Sequence, residues 1–323
     1  MLRRIALPVI ALLLMLSVVA GCGGAAPKTT SPAPTTPAAD QKPAEAAKAK
    51  QTTYPVTVKD DLGREVTIPA EPKRIVSVAP SNTELLFALG KGGVLVGRSD
   101  FDDFPAEVAN VPSIGGWMPP NYEKIIAAKP DLMLLVGGSD EARNKLIDEY
   151  KLNVFVLDPQ TFEQAYDGIK RLGVAVNAQD AAEKLVADMK GAVKEVTDKV
   201  AKATTKPKVY YEVWDEPLMT VGAGTYIDDM IRIAGGVNVA ADSKGWATIN
   251  AEVIAKANPD IVIASSADIE KKIKARPTWA EFKAVKDGKV VAVGDANHVS
   301  RPGPRLVLGL QWFAKTIHPE LFK

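Results

Sequence analysis

From Tyr54 onward the chain alternates short β-like runs with helical segments. Val56-Thr57-Val58 and Val66-Thr67-Ile68 flank Asp60-Asp61-Leu62-Gly63, a pattern that predicts a hairpin. Arg74 to Val78 reads as a strand, and Thr83 to Leu89 as a short helix closed by Gly90. Leu132 to Val136 and Val154 to Leu157 are continuous apolar runs, which suit parallel strands covered on both faces. Helical segments precede and separate them, so the fold class is α/β. Between Ala178 and Ala203, the residues Ala182, Leu185, Met189, Ala192, Val193, Val196 and Val200 recur at three- and four-residue steps, with charged residues between. At ~1.5 Å per residue this helix is ~39 Å long, enough to run along the body and join two lobes.

An internal repeat supports two similar lobes. Tyr122 to Leu132 parallels Ala251 to Ile261: each is a helix, then Pro-Asp, then a buried strand. In each half an earlier short helix carries an acid six residues before its closing glycine, Glu84 before Gly90 and Asp229 before Gly235. The expected organisation is an N-terminal lobe over 54–177, a connecting helix over 178–204 and a C-terminal lobe over 205–323.

The first 53 residues follow a different pattern. Arg3 and Arg4 precede an apolar stretch from Ile5 to Ala20, which reads as a secretory signal over 1–21. It ends in Val19-Ala20-Gly21-Cys22, which resembles a bacterial lipobox and implies a lipid on Cys22, facing outward from a membrane. A transmembrane anchor is the competing reading, and the run is short for one. Residues 22–53 are rich in Ala, Pro, Thr and Lys and read as a tether.

Composition then narrows the chemistry. The chain of 323 residues is 46% apolar and 24% charged, with a formal net charge of +1. This is ample for a core and unlike a disordered chain. Beyond residue 53 the charged groups are 34 basic and 37 acidic, so there is no polybasic footprint and no nucleic-acid partner is expected. Cys22 is the only cysteine, and His298 and His318 are the only histidines. No disulfide, thiolate cluster or multi-histidine metal site is expected, and any metal would arrive already chelated. Carboxylates are plentiful, but no nucleophile elbow or zinc motif stands out; an enzyme, such as a cell-wall hydrolase, ranks last and no catalytic residue is assigned.

Several segments carry a family resemblance: Arg74 to Glu84, Lys129-Pro130-Asp131, Gly224 to Asp229, Ala234 to Asn238 and Arg301-Pro302-Gly303-Pro304-Arg305. In this order, behind a lipobox, they resemble the substrate-binding proteins of ABC importers, in the group for vitamin B12, siderophores and haem. The resemblance implies two α/β lobes joined by one rigid helix, with the ligand in the cleft between them. It implies that an acid on each lobe docks onto arginines of a dimeric membrane permease, Glu84 on the first and Asp229 on the second, with Asp228 a neighbouring alternative. A local reading competes: Ser81 to Glu84 has the form of a capping box, and Thr225 with Asp228 forms a similar cap.

A large metal chelate suits aromatic faces with a few directed donors. The candidate ligand-binding residues are Phe101, Phe104, Trp117, Trp214, Met219, Trp246, Arg301 and Arg305, in loops rich in Gly and Pro or following strands. Core packing is the competing reading for each tryptophan, and it is preferred for Trp279 and Trp312. Arg301 and Arg305 have bracing of the last helix as theirs. Haem binders of this group often offer tyrosine or histidine to the iron; Tyr122, Tyr166, Tyr226 and His298 are the available groups. Cobalamin is the preferred cargo, an iron-siderophore or haem the alternative. A ligand sensor without transport is a further reading. The chain is expected to be monomeric and extracytoplasmic, with no resident cofactor.

Overall fold

The computed structural model describes residues 49–116, 118–138 and 140–322. Cys22, the leader and most of the tether lie outside the described residues, as does Trp117.

The hairpin forms as expected, β1 (Val56–Lys59) against β2 (Glu65–Ile68), antiparallel with Val58 opposite Val66. The buried Asp60 carboxylate closes it by accepting from the backbone N–H groups of Leu62 and Arg64 at 3.0 Å each. There follow β3 (Ile75–Ser77), α1 (Pro80–Ala88), β4 (Leu95–Gly97), α2 (Tyr122–Ala127), β5 (Leu132–Leu135), α3 (Asp140–Asp148), β6 (Val154–Val156) and α4 (Phe162–Ala175). The four strands β4-β3-β5-β6 lie parallel in that order. All four residues of β5 and all three of β6 are buried, which is why their sequence reads as unbroken apolar runs.

Helix α5 (Gln179–Val200) has 22 residues, about 33 Å at the usual rise. Its buried face, Ala182, Val186, Met189 and Val196, packs on α4 in the first half. In the second half it meets α6 (Tyr226–Ile233) and α11 (Leu306–Ile317). One apolar cluster therefore continues from Phe155 and Leu172 through Met189 to Ile231 and Phe313.

The second lobe holds β7 (Lys208–Asp215), β8 (Leu218–Val221), β9 (Val237–Asn238), β10 (Trp246–Thr248), α7 (Ala251–Ala257), β11 (Ile261–Ala264), α8 (Ala267–Ala275), α9 (Lys283–Lys286), β12 (Val290–Ala292) and α10 (Asn297–Ser300). Its sheet runs β10-β8-β7-β11-β12, with β9 beside the start of β7. Strands β7, β11 and β12 are parallel, while β8 and β10 are antiparallel, so this lobe is mixed where the first is wholly parallel.

The sequence repeat has a structural purpose. After α2 and after α7, the Pro-Asp aspartate ties its strand to the start of a neighbour. Asp131 accepts from the Lys73 N–H at 2.7 Å, and Asp260 from the Lys208 N–H at 2.8 Å. Trp279 is 2% exposed and stacks on Phe282 in the core, whereas Trp312 is half-buried, packing edge-on to Phe313 at the margin of the core.

The capping box does not form. Helix α1 begins one residue earlier than Ser81, with Pro80 in its first turn and Ala79 at the N-cap without a side-chain cap. Proline suits that place because its missing N–H would be unpaired there anyway. The cap by Thr225 is present, accepting from the Asp228 N–H at 3.1 Å.

Candidate functional site

In open α/β sheets the carboxyl ends of parallel strands are where ligands collect. In the first lobe those ends form one wall of a cavity of about 440 Å³, which the second lobe completes. The first lobe lends the turn Ala79-Pro80-Ser81 after β3, Val136 after β5, and Asp158 and Gln160 after β6. The second lends Tyr226 at the start of α6, Trp246 on β10, and Ser300-Arg301-Pro302 after α10. A larger cavity, about 670 Å³, lies among Lys206, Asp260, Lys289 and His318 at the opposite ends of β7 and β11. It draws its lining from the second lobe and the chain entering it, so the interlobe cavity is the candidate site.

Trp246 closes one side. Its indole N–H donates to the Gln160 side-chain oxygen at 3.2 Å across the lobes, and its ring meets Tyr226 edge-on at 5.8 Å. The indole remains 42% exposed, leaving a face for a ligand. Phe101 and Phe104 stand well exposed on the loop after β4, as does Met118. Trp214 is elsewhere: it lines a groove with Ile269 and Lys272 of α8, the Lys272 ammonium lying 5.6 Å from its ring. Met219, beside it on β8, is half-buried between Trp214 and Thr248. Neither is among the residues lining the interlobe cavity: Trp214 lies against α8, and Met219 sits beside it on β8.

The structure corrects the two docking acids. Glu84 is 3% exposed and is held by both arginines of the Arg301-to-Arg305 segment. Arg305 donates to it at 2.8 and 2.6 Å, and Arg301 at 2.9 Å. Arg301 also pairs with Asp103, and Arg305 lies over the Phe104 ring at 4.3 Å. A carboxylate already shared by two guanidiniums under cover has nothing to present to a permease. Asp229 is likewise engaged: it accepts from the Phe162 N–H at 3.1 Å, at the start of α4, and pairs with Arg232. The neighbouring Asp228 accepts from the Asn238 side-chain amide at 2.8 Å. Glu84 and Asp229 thus join the lobes, and Asp228 ties α6 to β9.

The same contacts revise Arg301 and Arg305. Arg301 lines the cavity, but with its charge matched by Glu84 and Asp103; Arg305 is used up on Glu84. The Arg301 pair holds the Asp103 carboxyl below the usual carboxylate range. Asp102 anchors the loop carrying Phe101 and Phe104, accepting from the Thr83 hydroxyl at 2.7 Å and the Ser99 hydroxyl at 2.8 Å. Burial pushes its carboxyl up, with those hydrogen bonds acting against the shift.

Sequence reading overlooked Asp158 and Gln160. The signal was available, because both directly follow the apolar run 154–157 and so stand at the carboxyl end of a buried strand. Burial raises the Asp158 carboxyl above its ordinary value, the Gly137 N–H opposing and the Asp61 charge adding. No cation pairs with Asp158 among the described residues. Of the tyrosines weighed for iron, Tyr226 lines the cavity, whereas Tyr166 is buried against Phe162 and Tyr122 pairs with Tyr150. Among the described residues no group of three or more His, Cys, Asp or Glu is placed to hold a metal ion, and no helix is long and apolar enough to cross a membrane.

Comparison with known proteins matches residues 75–296 to the family described as periplasmic binding protein. YvrC of Bacillus subtilis, an ABC transporter substrate-binding lipoprotein, is 37% identical over 321 residues, 97% of each chain. The cobalamin-binding protein of Halobacterium salinarum is 28% identical over 309 residues, 90% of this chain and 81% of its own. A solute-binding protein of Staphylococcus epidermidis, described as a candidate iron binder, superposes with a TM-score of 0.70 at 34% identity, covering 77% of this chain and 100% of its own.

Proposed function

We propose, for a chain that belongs to the periplasmic binding protein family and is the substrate-binding protein of an ABC transporter, that its cargo is a cobalamin. Such proteins deliver ligand to a membrane permease, and the family is made up of binding proteins rather than enzymes. The observation that carries the choice of cargo is the charge state of the cleft. Among the described residues its one lining arginine, Arg301, is neutralised by Glu84 and Asp103, and its one lining carboxyl, Asp158, forms no ion pair. An anionic ferric catecholate, or haem with its propionates, would find no free positive charge there. A neutral, amide-edged chelate meets no such penalty. A corrinoid is larger than the cavity, so its ring lies across the mouth against Trp246, with its edge reaching inward. The cobalamin-binding relative supports the same reading.

Cys22 carries the lipid in this account, holding the protein outside the cell membrane as a monomer. Docking passes to Glu123 and Glu252. They occupy matching positions in the repeat, each in the first turn of a helix capped by asparagine, Asn121 on α2 and Asn250 on α7. Each helix runs back toward the start of the strand that follows it, so its N-terminus lies at the cleft end of its lobe. Both acids are exposed and neither forms an ion pair among the described residues. Two equivalent acids suit two equivalent permease subunits.

Titration of the full chain in detergent with cyanocobalamin, ferrichrome and haemin, followed by tryptophan fluorescence with inner-filter controls, tests the cargo. Saturable one-to-one quenching by cyanocobalamin, reduced in Trp246→Phe, is expected. Saturation by haemin alone would refute it.

A further inference from the structure

We propose that Asp158 selects the cargo by accepting hydrogen bonds from the carboxamide N–H groups at a chelate's edge, and that it turns away chelates edged with carboxylates. The inference rests on the cleft being the cargo site and names the group that reads the cargo there. Asp158 lines the cavity from the first lobe, facing Tyr226 and Trp246 of the second. Its backbone is fixed, the N–H donating to the Asp61 carboxylate at 2.6 Å, and Asp61 is itself held by Arg171. The side chain sits where only glycine permits: a Cβ on Gly137 would lie 2.3 Å from the Asp158 Oδ2. The nearby arginines are committed elsewhere, Arg171 to Asp61 and Arg301 to Glu84 and Asp103.

A half-buried carboxylate without a cation is costly to keep, because burial strips its water without supplying a counter-charge. A ligand that brings N–H donors to it recovers that cost on binding, and hydrogen bonds to a charged acceptor are the stronger kind. A ligand that brings a second carboxylate adds like-charge repulsion in a partly enclosed site. The cavity thereby distinguishes an amide from an acid at the same position, a contrast that shape alone cannot make.

The test compares the wild-type full chain in detergent with Asp158→Asn and Gly137→Ala. The probes are cyanocobalamin, its separate peripheral monocarboxylic acids, ferrichrome and haemin, with affinities read by calorimetry and folding by circular dichroism. Asp158→Asn keeps the shape and removes the charge; Gly137→Ala keeps the charge and displaces the carboxylate. The wild type is expected to prefer cyanocobalamin over at least one of its acids by about tenfold or more. Folded Asp158→Asn should bind cyanocobalamin about ten- to a hundredfold more weakly and lose that preference. Gly137→Ala should move in the same direction. Unchanged affinities and unchanged preference in folded Asp158→Asn would overturn the inference while leaving the cobalamin reading intact. If the wild type binds ferrichrome and not cobalamin, the cargo reading fails, and weaker ferrichrome binding by Asp158→Asn would still support this role for Asp158. Binding of haemin alone, or of none of the probes, would overturn both.

Discussion

Glu84 shows how burial decides what a charged side chain can do. Two arginines from the other end of the chain converge on it, and its side chain is 2% exposed. Removing Glu84 leaves Arg301 with Asp103 but strips Arg305, 15% exposed, of its counter-charge, and breaking a buried pair in this way typically costs about 3–5 kcal/mol. Glu84→Ala should therefore lower the unfolding free energy by about that amount in chemical denaturation. A loss no larger than that of an exposed pair would contradict the arrangement. Asp158 behaves in the opposite sense. Burial raises its carboxyl above the unfolded value, with Asp61, Arg171, Tyr226 and Arg301 the ionisable groups around it. The penalty of its charge is present above that raised pKa and vanishes as pH falls through the ordinary carboxylate range. Asp158→Asn should raise the melting temperature at pH 7 and leave it nearly unchanged at pH 3. Equal gains at both pH values would contradict this account.

At the scale of elements, the helices and strands that the sequence repeats are the ones whose exposed ends matter. Helices α2 and α7 place Glu123 and Glu252 in matching first turns. Replacing both acids with alanine should abolish ligand uptake through the permease in reconstituted vesicles while leaving ligand affinity within about twofold, because rim charges steer and orient docking rather than hold the cargo. Full uptake by the double variant would refute docking through these helices. Elements were also where the sequence was most legible. The hairpin, the buried strands and the long helix follow from periodicity, since burial on one face or two writes itself into the order of residues. Ligand-site residues were less so. Trp246 could be placed in the cleft because its glycine neighbour marks a loop, but Trp214, with similar neighbours, lies against α8. Glu84 and Asp229 carried the local marks of acids in first helical turns. What fixes their use is Arg301, 217 residues along the chain from Glu84, and the start of α4, 67 residues before Asp229. Such distant pairings leave no local trace.

At the scale of the whole molecule, α5 packs against both lobes and one apolar cluster continues past it. The lobes also meet through Glu84 with Arg301 and Arg305, Asp229 with α4, and Gln160 with Trp246. Large opening would break all of these at once, so ligand binding should proceed with small closure. Small-angle scattering should give a radius of gyration that changes by no more than about 1 Å on loading; a change of several ångströms would contradict the coupling. A cleft whose described residues offer no free cation should receive a cobalamin. Isothermal calorimetry of the full chain with cyanocobalamin is the decisive measurement. A single saturable site with one-to-one stoichiometry is expected. Absence of binding by the folded protein, alongside saturable binding of haemin or a ferric catecholate, would contradict it.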